Sequence, residues 1–207
     1  MNKSELKKYR YNLRKWFKRA SKENIKAGLE WYDDAISYAV KLARAYDSTS
    51  DLSAGVIAVL SPFNDWEKNK YDAEQVFKAV KEGKSYKDIK VSTFDSNKKK
   101  AFALVKGEMN LSESSPKTYA FSRNIGLRDE NYVTIDRWHL RACRTLSKTP
   151  KECSITCTPK QYNLIQAETV KVAKEFGVKP YQFQAIVWVT IKSYWEQIYN
   201  TNTITNR

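Results

Sequence analysis

The sequence predicts an all-α protein, and three observations predict it. Glycine and proline are scarce, 6 and 5 in 207 residues, and they fall between periodic segments rather than inside them. Apolar residues recur at helical spacing along most of the chain. Only residues 85–96 leave room for a short strand, with an irregular loop as the alternative.

The elements follow in order. A helix is predicted over 4–19, with Ser4 as its cap. Tyr9, Leu13, Trp16 and Phe17 form its apolar stripe, and Lys7, Lys8, Arg14, Lys15 and Lys18 a basic face. A second helix is predicted over 24–46, where Leu29, Tyr32, Ile36, Ala39, Val40 and Ala43 recur at helical spacing. The third begins near Asp51, a cap candidate, and is almost wholly apolar through Leu60, so it belongs in a core. Pro62 lies just past its end. Further helices are expected over 66–82, 97–106, 117–124, 134–146, 159–176 and 179–199. Thr158 caps and Pro159 opens the helix that Gly177 closes. Residues 108–116 are the clearest non-helical joint, and 200–207 a flexible polar tail.

A hydrophobic fraction of 42% with 13% aromatics argues for a folded chain, long enough for one substantial core or two small lobes. The net charge of +14 points to a polyanionic partner. Basic residues alternate with aromatics, which favours nucleic acid over solubility charge or an acidic protein. No run of 18 apolar residues exists, so no membrane span is expected. Three cysteines, Cys143, Cys153 and Cys157, make no disulfide framework. With no apolar leader, they point to a reducing cytoplasm. His139 is the sole histidine, so neither a zinc or iron–sulfur site nor a Ser-His-Asp arrangement is expected. No metal and no cofactor is predicted.

The residues that could carry chemistry share one order along the chain. Ile57-Ala58-Val59-Leu60-Ser61-Pro62-Phe63-Asn64 leads into Asn69-Lys70, and Phe94-Asp95-Ser96-Asn97-Lys98 into Ala101. Pro116-Lys117-Thr118-Tyr119-Ala120 comes next, then Val133-Thr134-Ile135-Asp136-Arg137-Trp138-His139-Leu140-Arg141, then Gln184-Ala185-Ile186-Val187-Trp188. This series, over roughly residues 50–190, resembles the helix-hairpin-helix (HhH-GPD) DNA glycosylases, the endonuclease III-like superfamily. The resemblance implies a two-lobed helical fold without the iron–sulfur cluster, as a single unit over 1–207. Residues 50–116 would form a central lobe, and 1–49 with 117–199 a second. It implies a DNA partner, a monomer, base flipping, and cleavage of an N-glycosidic bond. A compact, Lys-rich member of this kind fits a phage protein acting in the host cytoplasm. Two departures stand out. The family's Leu-Pro-Gly-Val-Gly hairpin is replaced by Leu111-Ser112-Glu113-Ser114-Ser115-Pro116, and its block histidine by Trp138.

The resemblance assigns the site residues. Asp136 would stabilise charge on the sugar or deprotonate the nucleophile; an ordinary helix cap is the structural alternative. Lys117, 19 positions earlier, would be a Schiff-base nucleophile; a phosphate-contacting surface lysine is its alternative. Phe63 and Asn64 sit at the turn that fills the gap left by an extruded base, where Phe63 is either wedge or core. Trp66, Trp138 and Trp188 are candidate pocket walls, although core packing is the commoner fate of tryptophan at this spacing. Asn69, Lys70, Arg123, Arg137, Arg141 and Arg144 would follow phosphates, against a solvated face as the alternative. Lys98, Lys99 and Lys100 read as a surface run. Two other functions share the scaffold: a phage base-hypermodification transferase that attaches amino-acid or polyamine groups to thymine, and a non-catalytic DNA-binding protein.

Overall fold

The computed structural model describes residues 1–146 and 154–205, with side chains through Gln197. It is all-helical: among the described residues there are nine α-helices, one 3-10 turn and no strand. The helices are α1 Lys3–Lys18, α2 Lys22–Ala45, α3 Ser50–Leu60, α4 Trp66–Lys81, α5 Asp95–Val105, α6 Pro116–Leu127, α7 Arg137–Arg144, α8 Pro159–Glu175 and α9 Pro180–Thr205. The chain divides into two compact units, Met1–Tyr32 with Glu130–Arg207, and Asp33–Asp129. The divisions fall inside α2 and after α6, at 32/33 and 129/130, not at the 49/50 and 116/117 suggested by the sequence. The later boundary follows α6 because α6 packs on α3.

The second unit is built around α3. Every side chain from Ser53 to Leu60 is buried, as its all-round apolar sequence requires. Thr49, not Asp51, caps it: its hydroxyl accepts from the Leu52 N–H at 3.1 Å. α4, α5 and α6 surround it. α6 lies close because Gly126 has no side chain; a Cβ there would stand 2.7 Å from an Asp51 carboxylate oxygen. The segment expected to hold a strand or loop holds a 3-10 turn over Tyr86–Asp88. Lys98 corrects its assignment to a surface run. It is buried, its Nζ donates to the Ile89 carbonyl at 2.9 Å, and it pairs with Asp95 at 3.0 Å.

The first unit packs α1 against α7, α8 and α9. Tyr9, Leu13 and Trp16 are buried as predicted, and Asn12 joins them. Asn12 Nδ2 donates to the Cys143 carbonyl at 2.7 Å and Trp16 Nε1 to that of Thr145 at 2.9 Å. These two side chains satisfy carbonyls at the end of the short helix α7, which has few bonds of its own. The cap of α1 is Asn2 rather than Ser4, because Asn2 and Glu5 close a reciprocal capping box. Thr158 and Gln161 form the same box at α8, with Pro159 in the first turn. α9 extends to Thr205, beyond the predicted end at 199.

The segment before α7 departs most from the sequence reading. The helix expected from 134 starts at Arg137. Its predecessor is held extended by α8: Tyr162 donates to the Val133 carbonyl at 2.8 Å and accepts from the Ile135 N–H at 3.0 Å. Gln166 accepts from the Val133 N–H at 3.0 Å. Val133, Thr134 and Ile135 are buried, and the first half-buried side chain after them is Asp136.

Candidate functional site

The first unit presents Asp136 as the N-cap of α7. One carboxylate oxygen accepts from the His139 N–H at 2.8 Å, the other from the Trp188 indole N–H at 3.0 Å. Trp188 stands edge-on to Trp31, with ring centroids 6.1 Å apart, and carries Lys192 Nζ 4.4 Å from its own centroid. Asp136 is therefore oriented from two helices and walled by an indole. A carboxylate has about four lone-pair sites, so two donors leave room for a third partner.

The floor beneath it is a buried polar network. Tyr32 donates to Gln184 at 3.1 Å or Thr134 at 3.2 Å, and burial pushes its phenol pKa well above the ordinary range. Tyr162 is shifted upward for the same reason. His139 lies fully buried behind the cap. Its Nε2 is 2.9 Å from the Thr169 hydroxyl. That hydroxyl gives its one proton to the Ile165 carbonyl at 2.9 Å, so Nε2 carries the hydrogen and donates. Burial lowers the His139 pKa to about 3, which keeps the ring neutral. His139 thus supports α7 and is not a proton shuttle near neutral pH.

Trp138 and Arg141 extend the same corner. Trp138 meets Trp195 at 5.9 Å, and the Arg141 guanidinium lies 4.6 Å from the Trp138 ring. Arg137 is exposed in the first turn of α7. Arg144 is engaged internally: it donates to Tyr9 Oη at 3.2 Å, to the Thr156 carbonyl at 2.8 Å and to the Ser154 carbonyl. Its guanidinium anchors the chain after α7, so a phosphate would have to compete with three partners.

The second unit presents a pair of aromatic rings. Phe63 is 73% exposed, which removes its core reading, and it adopts a left-handed φ of 59°. That conformation is strained for an aromatic side chain. Phe94 is 58% exposed and meets Phe63 edge-on, centroids 5.5 Å apart. Buried Asp72 ties the two turns together. One of its oxygens accepts from Asn64 Nδ2 at 2.8 Å and from the Ser92 N–H at 2.7 Å. Thr93 adds a bond to the Pro62 carbonyl at 2.9 Å.

The other predicted residues of this unit separate into engaged and presented groups. Asn69 corrects its assignment as a DNA contact. It is 2% exposed, with Nδ2 donating to the Ile57 carbonyl at 3.1 Å, so it fastens α4 to α3. Arg123 pairs with Asp129 at 2.9 Å. Lys70 pairs with Glu67 at 2.7 Å and lies 5.7 Å from both the Trp66 and Tyr38 rings. Lys117 is half-buried in the first turn of α6, where Ser115 makes no side-chain cap hydrogen bond. Nearby is a pocket of about 110 Å³ lined by Lys100, Asn97, Leu111, Ser112, Ser115 and Thr118. Lys117 and Asp136 belong to different units.

Sequence reasoning missed Trp31, Trp195, Lys192 and Asp72, and gave Phe94 no role beyond its place in the 94–101 stretch. Phe94 was readable as an apolar residue at a helix start, but exposure has no local signature. Asp72 looks like any solvated helix carboxylate until α4 is packed. Among the described residues no group of three His, Cys, Asp or Glu side chains could hold a metal, and Cys153 lies outside them. No described helix is long and apolar enough to cross a membrane.

One family model matches residues 1–194, and the chain therefore belongs to that family, described as a family of unknown function (DUF7178). No curated protein and no solved structure matches it.

Proposed function

We propose that this DUF7178 member is a DNA glycosylase-like enzyme of the helix-hairpin-helix type, which extrudes a nucleotide and cleaves its N-glycosidic bond. The observation that carries the reading is Asp136, fixed by the His139 N–H and the Trp188 indole beside a second indole, Trp31. An extruded base needs a flat apolar wall, and the sugar it leaves needs a nearby negative charge as the bond breaks. Trp188 and Asp136 supply these from one hydrogen-bonded pair.

Phe63 and Phe94 support the same reading from the other unit. Two exposed rings on tethered turns suit insertion between base steps, which offsets the cost of unstacking. The uncapped start of α6, with hydroxyl side chains and Lys100 at its pocket, suits a backbone phosphate. It would replace the missing hairpin. Lys117, in that first turn, is a candidate nucleophile for strand nicking or a phosphate contact. The protein would work as a monomer.

A second reading is a non-catalytic DNA-binding protein. The observation favouring it is that both Asp136 oxygens already accept hydrogen bonds, one capping α7 and one tying it to α9, which a purely structural role accounts for. One experiment separates the readings. Duplexes carrying varied modified bases are incubated with the protein, with and without borohydride. A glycosylase leaves abasic sites. A Lys117 nucleophile adds a reduced covalent adduct that Lys117→Gln abolishes. A base-modifying transferase leaves the glycosidic bonds intact, and a binding protein leaves the DNA unchanged. Either of the last two results refutes the proposal.

A further inference from the structure

The outward face of α1 differs in its charge pattern from the exposed faces of α2, α4 and α8. Lys3, Lys7, Lys8, Lys15 and Lys18 are all exposed, and most follow a four-residue row that Tyr11 completes. Among the described residues none of the five pairs with a carboxylate. Those three faces mix signs: Glu23, Glu30, Asp33 and Asp34 accompany the lysines of α2, and Glu67 and Glu74 those of α4. On α8, exposed Lys171 and Lys174 share the face with exposed Glu175, and Lys171 also pairs with the buried Glu168. The acid of α1, Glu5, is used at the cap, where it accepts from the Asn2 N–H at 2.7 Å. Arg10 and Arg14 leave the row as well, being paired to Glu168 and Glu175.

Such a row costs stability. Like charges at i,i+3 and i,i+4, such as Lys3–Lys7 and Lys15–Lys18, each oppose the helix. The buried stripe on the opposite side carries the packing, so the lysines contribute nothing to the core. From Lys3 to Lys18 the exposed lysines span about 22 Å at 1.5 Å per residue. A duplex presents one charge every ~1.7 Å of its axis, so a helix of this length meets several phosphates. Tyr11, 51% exposed and 5.5 Å from Lys15 Nζ, is the one large apolar side chain exposed on α1. One tyrosine gives too little apolar area for a membrane-lying helix, which disfavours an anionic lipid surface.

We infer that the outer face of α1 is a sequence-independent track for the phosphate backbone of nucleic acid, separate from the Asp136 corner. The inference rests on the nucleic-acid part of the proposed function and not on the reaction. It is tested by measuring the affinity of the full chain for a short duplex of arbitrary sequence across a range of salt. Wild type is compared with a variant carrying Lys7→Gln, Lys8→Gln, Lys15→Gln and Lys18→Gln. A control carries Lys22→Gln, Lys26→Gln, Lys78→Gln and Lys87→Gln, four exposed lysines elsewhere. Loss of up to four phosphate contacts makes the slope of log K against log salt shallower by about 3, while the control stays near wild type. Equal losses in both variants would mean diffuse charge and overturn the inference. A steep wild-type slope unchanged in the α1 variant would overturn it and leave the DNA reading standing. A flat wild-type slope would overturn both. If the α1 variant instead loses binding to phosphatidylserine vesicles while its duplex slope is unchanged, the face serves a membrane and the inference fails.

Discussion

The Asp136 corner and the Phe63–Phe94 turns are both held by buried hydrogen bonds, but they present opposite things. In the first unit the network ends on a carboxylate whose two oxygens are already engaged, with Tyr162 and Gln166 fixing the backbone that leads to it. In the second, a buried carboxylate, Asp72, does the fixing, and what emerges is hydrocarbon. A carboxylate tip held by a buried polar network can act on charge. An apolar tip on a polar anchor can only displace or stack. Under the proposed function, the reaction falls to Asp136 and stacking falls to Phe63 and Phe94.

That contrast can be broken at the anchor. Asp72→Ala leaves the Asn64 amide and the Ser92 N–H without their acceptor in a buried site, at about 1–3 kcal/mol for each unsatisfied group. Chemical denaturation should show a loss of about 3 kcal/mol. A loss below about 0.5 kcal/mol would mean that the two turns hold without Asp72.

Acid should strike the first unit. The folded pKa of His139, about 3, lies below its ordinary value of 6.5. The unfolded chain therefore takes up this proton first as pH falls. The stability it supplies is complete above about pH 6.5 and is lost progressively towards pH 3. Between pH 7 and 5 the loss should be about 2 kcal/mol. The lowered Glu168 and Glu175 carboxyls add their losses only below their ordinary pKa of 4.5. Unfolding free energies that are level from pH 7 to 5 would show His139 to be reachable by water.

The rings themselves should matter least to folding. Phe63→Ala with Phe94→Ala removes exposed side chains, so stability should move by about 0.5 kcal/mol or less. DNA affinity should fall by about 1–3 kcal/mol, the usual value of an aromatic stacked on a base. Unchanged affinity, measured by fluorescence anisotropy at fixed salt, would reduce the pair to ornament and sharpen attention on Asp136.

Much of the framework was legible. Punctuation by glycine and proline and the helical period placed every helix, and the uniform apolarity of α3 identified the core. The illegible parts are those set by partners distant in the chain. The segment 133–135 is extended because Tyr162 and Gln166 bind its backbone, from about 30 residues away. Lys98 is buried because the 3-10 segment folds over it and offers a carbonyl. Asn69 and Arg144 look like any polar surface residue until their acceptors, Ile57 and Thr156, are in place. At the site, the sequence named Asp136 and Trp188 separately; their hydrogen bond joins residues 52 positions apart.

Asp136→Asn tests the central claim most directly. Asparagine is of the same size and its one carbonyl oxygen can still cap α7, but its amide nitrogen cannot accept from the Trp188 indole, so stability should fall by about 1–3 kcal/mol while the variant still folds and duplex affinity stays near wild type. Release of free base from a cleavable modified duplex should fall by about 10²–10³, as loss of a preorganised charge at the reacting centre implies. A variant that folds, binds DNA and releases base at the wild-type rate would contradict the account, because Asp136 would then be a helix cap and nothing more.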